Sequence, residues 1–184
     1  IHSSSGTTGT PVIIPYTQKD VDDWALMFAR CYEMAGITNL ERIQITPGYG
    51  LWRAGIGFQL GAERLGAMTV PMGPGNTDKQ LRMMMDMKST VLCATSSYAL
   101  LLAEEIAKRG IGERIHLRKG VIGSERWGEK MRNRIAAELG VDLFDIYGLT
   151  EVYGPGIAIN CEKQGAMHYW DDYIYIEIVD PKTG

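Results

Sequence analysis

The chain is poor in the side chains that most often announce chemistry. Its three cysteines, Cys31, Cys93 and Cys161, are far apart and odd in number. Disulfide-built proteins use cysteine densely and in pairs, so these read as reduced thiols of a cytoplasmic protein. His2 and His168 are too isolated to belong to a catalytic triad. Cys161 and His168 supply two potential zinc ligands, where a structural zinc needs four. Lys and Arg number 19 against 22 Asp and Glu, for a net charge of −3 with no basic block. Nucleic-acid binding draws on clustered positive charge, so a nucleic-acid partner is not expected. No apolar run approaches the roughly 18–20 residues of a membrane span, so no membrane partner is expected either. There is no internal repeat, no low-complexity tract and no Gly-x4-Gly-Lys-Ser/Thr phosphate loop. Gly55-Ile56-Gly57 lacks the spacing of a dinucleotide fingerprint.

What is present is the pattern of an α/β protein. The 184 residues are one domain's worth on the usual scale of about 100–200 residues. In residues 19–35 the apolar positions Val21, Trp24, Ala25, Met27, Phe28, Cys31, Tyr32 and Ala35 recur near a 3.6-residue period, which predicts a helix capped by Thr17 or Asp20 and ended by Gly36. Further helices are expected at 54–65, 77–88 (capped by Thr77 or Asp78), 98–109 and 125–139. Strands are expected at 42–46, 67–70, 90–94, 116–122 and 141–146. Strands alternating with helices imply βαβ units and a mostly parallel sheet flanked by helices. Residues 157–160, 166–169 and 173–179 read as strands without helices between them, a mixed or antiparallel β segment at the C-terminal end. The expected division is an α/β core at 1–156 and a β-rich extension at 157–184. Both ends read as cut edges, with neighbouring segments expected beyond them.

Four motifs can carry chemistry. SSSGTTGTP at 3–11 is rich in hydroxyls, and its glycines free the backbone to turn several N–H groups toward one anion. DIYGLTE at 145–151 follows a predicted parallel strand, the edge at which open α/β sheets place ligands. There Tyr147 offers a flat ring, Thr150 a hydroxyl and Glu151 a hard oxygen suited to Mg²⁺. GSE at 123–125 is another strand-to-turn passage, with Ser124 a candidate helix cap. GYGLW at 48–52 sets Tyr49 and Trp52 between glycines. Each motif also has a plainer reading: a linker, a strand–helix connection, a surface carboxylate or core-filling aromatics. Met83, Met84, Met85 and Met87 read as core filling on a helix.

In this order and spacing the motifs resemble the acyl-adenylate-forming superfamily, and within it the phenylacetate–coenzyme A ligases. GAERLG at 61–66, TSSYALLLAEE at 95–105, GSERW at 123–127, DIYGLTEVYGPG at 145–156 and WDDYIYIEIVDPKTG at 170–184 extend the likeness over essentially the whole chain. The resemblance implies activation of an aryl carboxylate by ATP to an acyl-adenylate, then transfer to coenzyme A. It implies phosphate contacts from Ser4, Ser5, Gly6, Thr7, Thr8 and Gly9. Gly123, Ser124, Glu125, Asp145, Ile146 and Tyr147 would border adenine, Thr150 would meet the α-phosphate, and Glu151 would carry Mg²⁺. The aryl group would lie near Tyr49, Trp52, Gly123, Ile146 and Pro155. Thr10 stands where the family loop commonly has Lys, Ser124 and Arg126 replace Ala and Pro of its turn, and Pro47 and Trp52 alter its acyl pocket. The resemblance further implies an absent ribose-binding aspartate and C-terminal domain, so the chain alone is expected to bind nucleotide weakly and not to turn over. Two alternatives stay open: a non-catalytic module that kept the fold, and a related adenylating enzyme for another aryl acid or acceptor. Oligomeric state is not legible in the residues.

Overall fold

The computed structural model describes residues 1–184 apart from Ser5, Thr7, Thr8, Trp52, Arg53 and Gln164. It opens with a two-stranded antiparallel hairpin, β1 (His2–Ser3) and β2 (Ile13–Ile14). Helix α1 (Gln18–Met34) follows. Thr17 and Asp20, the two expected caps, act together there. Thr17 accepts from the Asp20 N–H, and the Asp20 carboxylate accepts from the Thr17 N–H, a reciprocal capping box.

Strand β3 (Arg42–Ile45), α2 (Gly55–Leu65), β4 (Met68–Pro71), α3 (Thr77–Asp86), β5 (Val91–Thr95), α4 (Ser96–Arg109), β6 (Lys119–Gly123), α5 (Glu129–Leu139), β7 (Asp142–Leu149), β8 (Gly154–Asn160) and β9 (Met167–Tyr169) complete the element order, with a 3₁₀ turn at Gly112–Arg114. Among the described residues the main sheet has seven strands in the order β4-β3-β5-β6-β7-β8-β9. The first five are parallel, and the β7–β8 and β8–β9 pairs are antiparallel. This is the expected architecture. The chain leaves β3 toward β4 on one side and then returns to β5 on the other. The carboxyl ends of β3 and β5 therefore form a topological switch point, where connections diverge and leave a crevice.

Alternation along the strands supplies two cores. Val91, Cys93, Val121, Phe144 and Ile146 face α1 and α2, where Trp24, Phe28, Tyr32 and Phe58 are buried. Leu92, Ala94, Ile122 and Leu143 face α3, α4 and α5, against Leu81, Met84, Leu102, Ile106 and Ile135. Strands buried on both faces read as continuous apolar runs, as VLCA at 91–94 does.

Several expectations shift. Asn76, in the left-handed region at φ 49°, caps α3 by accepting from the Lys79 N–H, in place of Thr77 or Asp78. Pro71 lies inside β4, tolerated because β4 is an edge strand. Strand β6 starts at Lys119 rather than at 116, where β5 and β7 both offer partners. Helix α5 starts at Glu129, not 125, because Ser124 adopts φ 69° and Gly128 is extended at the cap. The strand expected at 173–179 does not form. A strand needs a neighbour to pair with, and here Tyr175 is 84% and Ile178 100% exposed.

Candidate functional site

The parallel strands all point their carboxyl ends to one edge, and the motif residues gather there. Three clefts line up along it. One of about 400 Å³ sits at the switch point, between Thr46, Pro47, Gly48, Ala54, Pro74, Gly75, Thr95, Ser97, Tyr98 and Ser124. A second, about 260 Å³, is lined by His2, Ala54, Ser124, Ile146, Gly148, Thr150 and Pro155. A third, about 660 Å³, runs from Ser124 through Glu125, Trp127 and Asp145 to Tyr147 and Met167. Ser124 lines all three, so the GSE turn is the junction of the site.

Local geometry explains why glycine stands at the strand ends. A Cβ on Gly123 would lie 2.4 Å from the Ile146 carbonyl oxygen, and one on Gly148 2.2 Å from that of Gly154. Glycine lets β6, β7 and β8 close up at the edge of the site. A bulge at Tyr147/Gly148 shifts the register with β8, and Tyr153, Gly154 and Gly156 take positive φ in the turn beyond. That turn is held by three aromatic rings, those of Trp24 and Trp170 buried and that of Tyr16 half-buried. Trp24 Nε1 donates to the Pro155 carbonyl at 2.7 Å, Trp170 Nε1 to that of Gly156 at 2.8 Å, and Tyr16 Oη to that of Tyr153 at 3.1 Å.

The switch-point cleft is held by amides. Gln44 Nε2 donates to Gln80 Oε1 at 2.8 Å, Ser89 Oγ donates to Gln44 Oε1 at 2.9 Å, and Gln80 Nε2 donates to the Gly73 carbonyl at 2.7 Å. This buried network fastens the glycine loop after β4 to the centre of the sheet, and its polar atoms are mutually satisfied.

Of the phosphate-loop residues, Ser5, Thr7 and Thr8 lie outside the described residues, as does Trp52 of the expected aryl pocket. Ser4 closes the hairpin, its Oγ accepting from the Val12 N–H at 2.9 Å. Gly6 takes φ 68°, and its carbonyl accepts from the Gly9 N–H at 3.1 Å. The hairpin base is pinned by the Ser3 N–H donating to the Leu51 carbonyl at 2.7 Å, which brings His2 to the cleft of Thr150.

Ile146, Pro155 and Thr150 come together in one cleft, with Ser124. Tyr49 does not join them. It lines a separate apolar cleft of about 650 Å³ with His2, Tyr16, Trp24, Leu51, Ile56 and Leu60. Burial, followed by the neighbouring Cys93 and Glu63, holds its phenol well above the usual range. Glu151 is exposed in the turn after β7. Among the described residues no cluster of three or more His, Cys, Asp or Glu could hold a metal ion. A Mg²⁺ on Glu151 would therefore draw most of its oxygens from nucleotide phosphates and water, as this ion commonly does. Cys161 and His168 likewise gain no third partner among the described residues.

Asp145 and Glu125 titrate in opposite directions. Burial raises the Asp145 carboxyl, only partly offset by a hydrogen bond from Trp127 and the Arg132 charge. Burial also pushes Glu125 upward, but hydrogen bonds from Ser97, Ser96 and Thr95 overcome it and leave the net shift below the ordinary value. Sequence reasoning missed Thr46, Thr95, Ser97, Tyr98 and His2 as lining residues. Thr95 and Ser97 had a signal, a hydroxyl run straight after the apolar strand at 91–94. Among the described residues no helix is long and apolar enough to cross a membrane.

No family model matches the chain. It is 42% identical over 186 residues to the phenylacetate-coenzyme A ligase of Pseudomonas putida, covering 100% of this chain and 42% of that protein. It is 44% identical over 187 residues to that of Escherichia coli (strain K12), covering 100% of this chain and 43% of that protein. The chain thus spans about two-fifths of the length of these relatives. Its fold matches a 2-hydroxyisobutyryl-CoA ligase solved with 2-HIB-AMP and CoA, with TM-score 0.89 and 26% identity over 98% of this chain and 39% of that one. It also matches the fold of an anthranilate CoA ligase solved with anthranoyl-AMP, with TM-score 0.69 and 22% identity over 88% of this chain and 31% of that one. Along its whole length this chain is homologous in sequence to a stretch of the phenylacetate–coenzyme A ligases, and along nearly all of it the fold is that of a stretch of a 2-hydroxyisobutyryl-CoA ligase.

Proposed function

We propose that this chain carries the ATP and acyl-adenylate half-site of an acid–thiol ligase that activates an aryl carboxylate, phenylacetate foremost, and passes it to coenzyme A. The observation that carries this reading is the row of three clefts meeting at Ser124, with Thr150 in the middle one. Adenosine fits the largest of these clefts, bordered by Ser124, Asp145, Ile146 and the half-exposed Tyr147 ring, next to Gly123 at the end of β6. The α-phosphate comes to the Thr150 hydroxyl, and the hydroxyl-rich hairpin loop receives the outer phosphates. The aryl group extends past Ile146 and Pro155 toward Ala54 and the switch-point cleft. A carboxylate oxygen attacks the α-phosphorus, and the bond to pyrophosphate breaks. The thiol sulfur of coenzyme A then attacks the acyl carbon, and AMP leaves with the bonding electrons. Such chemistry asks the protein for alignment and charge neutralisation rather than a side-chain nucleophile. Mg²⁺ held through Glu151 would supply part of that neutralisation.

The matched relatives are more than twice as long, so binding is the first measurement. Calorimetric titration with ATP·Mg²⁺ and with a non-hydrolysable phenylacetyl-sulfamoyl adenosine is expected to show saturable binding, weak for ATP. Removing the hydroxyl in Thr150→Ala or the carboxylate in Glu151→Ala should weaken ATP by about tenfold, the scale of one charge-assisted contact. The chain alone is expected not to release thioester. Binding of neither probe by the folded chain would count against the reading, and steady thioester formation would sink the expectation of inactivity.

A further inference from the structure

The Glu125 carboxylate borders the adenosine cleft, yet both of its oxygens are bonded to the protein. Oε2 accepts from Ser96 Oγ at 2.9 Å and from the Ser97 N–H at 2.8 Å, and Oε1 accepts from Ser97 Oγ at 2.8 Å. These donors form the first turn of α4, whose free N–H groups and positive dipole end favour an anion. The residue before Glu125 is Ser124, a non-glycine at φ 69°, a conformation that persists only where its surroundings enforce it. Among the described residues no hydrogen bond holds Ser124 itself, whereas Glu125 is tied three times.

We infer that Glu125 is a positioning residue: by fastening the 124–128 turn to the N-terminus of α4, it holds Ser124 in the left-handed conformation at the junction of the three clefts. It sets affinity for the acyl-adenylate through that turn and not through a contact of its own. The affinity part rests on the function proposed above.

The test is a double-mutant cycle read by calorimetry with phenylacetyl-sulfamoyl adenosine. Ser96 is the second site because it is buried and lines none of the three clefts. Glu125→Ala should weaken binding by about tenfold and Ser96→Ala by about twofold to threefold, within the range of couplings between contacting residues. The double variant should bind no worse than Glu125→Ala. Glu125→Gln, which keeps an acceptor for the Ser97 N–H, should restore most of the affinity. Full additivity, or wild-type affinity in Glu125→Ala, would overturn the inference. Hydrogen exchange separates this from failure of the function itself. Even if the wild type bound no adenylate, amides of 124–128 and Ser97 should exchange faster in Glu125→Ala, and unchanged exchange there would refute the anchor.

Discussion

The two faces of the sheet grip the site by different means. On the α1/α2 face the grip is aromatic. Trp24, Trp170 and Tyr16 spend their N–H and O–H groups on carbonyls of the turn between β7 and β8, and their rings fill the core or border it. Such rings need flat counter-surfaces, which glycine supplies. A Cβ on Gly57 would lie 2.5 Å from both Phe28 and Trp24, and one on Gly61 2.3 Å from Phe28 Cβ. On the α3–α5 face the buried core is aliphatic, with Met84 its one buried methionine among the described residues while Met83, Met85 and Met87 stay half-buried, and the grip is polar: Gln80 on the glycine loop and Glu125 on the first turn of α4. The aromatic face couples the site to global stability, while the polar face tunes it locally.

Mutations on the two sides should separate these roles. The largest effect is expected for Trp24→Ala, which removes a buried ring and its hydrogen bond, at about 3–5 kcal/mol by denaturant unfolding. Trp24→Phe should lose less, about 1–3 kcal/mol, mostly from the Pro155 carbonyl left without its donor. Equal losses in the two variants would show that the hydrogen bond rather than packing dominates. Gly61→Ala should come next, at about 1–3 kcal/mol, because α2 must move away from α1. Unchanged stability would mean the helices have room that the geometry denies.

On the polar face, Thr95→Ala removes the cap that accepts from the Tyr98 N–H and should cost about 1 kcal/mol. A loss matching Trp24→Ala would erase the contrast between faces. The smallest effect is expected for Asp145→Asn, and it depends on pH. Burial holds the folded carboxyl above its ordinary value, so the folded state binds its proton more readily than the unfolded state. Stability from this group is present below the ordinary carboxylate range and is lost as pH rises through the raised value. Asp145→Asn should therefore raise Tm modestly at pH 7, and the gain should shrink on acidification. Glu125 runs the other way: its contribution is present above the ordinary value and is lost as pH falls through the depressed one. A Glu125→Gln deficit should accordingly fade in acid, and parallel pH profiles for the two variants would contradict these assignments.

Much of the fold was legible because its signals are local. The period in α1, its Thr17 and Asp20 cap and the Gly36 just beyond its end are read within a few residues of where they act. The misses at β6, at α5 and at 173–179 share one cause, whereas the cap of α3 moved only one residue, to Asn76. Strand β6 begins late and α5 begins late because neighbours distant in sequence fix their starts: β5 and β7 for one, the first turn of α4 for the other. Residues 173–179 have a strand's composition but no paired neighbour, and composition alone does not form a ladder.

The sequence by itself determined the alternation of strands and helices, the strand-end positions of the GSE and DIYGLTE motifs, and the family they resemble, since period, caps and motif spacing are written along the chain. Only the tertiary structure decided which motif residues share a cleft. It joined Thr150, Ile146 and Pro155, set Tyr49 in a neighbouring pocket, and gave the Glu125 carboxylate to α4. The physical reason is that lateral strand order and long-range hydrogen bonds depend on partners tens of residues away, which no local pattern encodes.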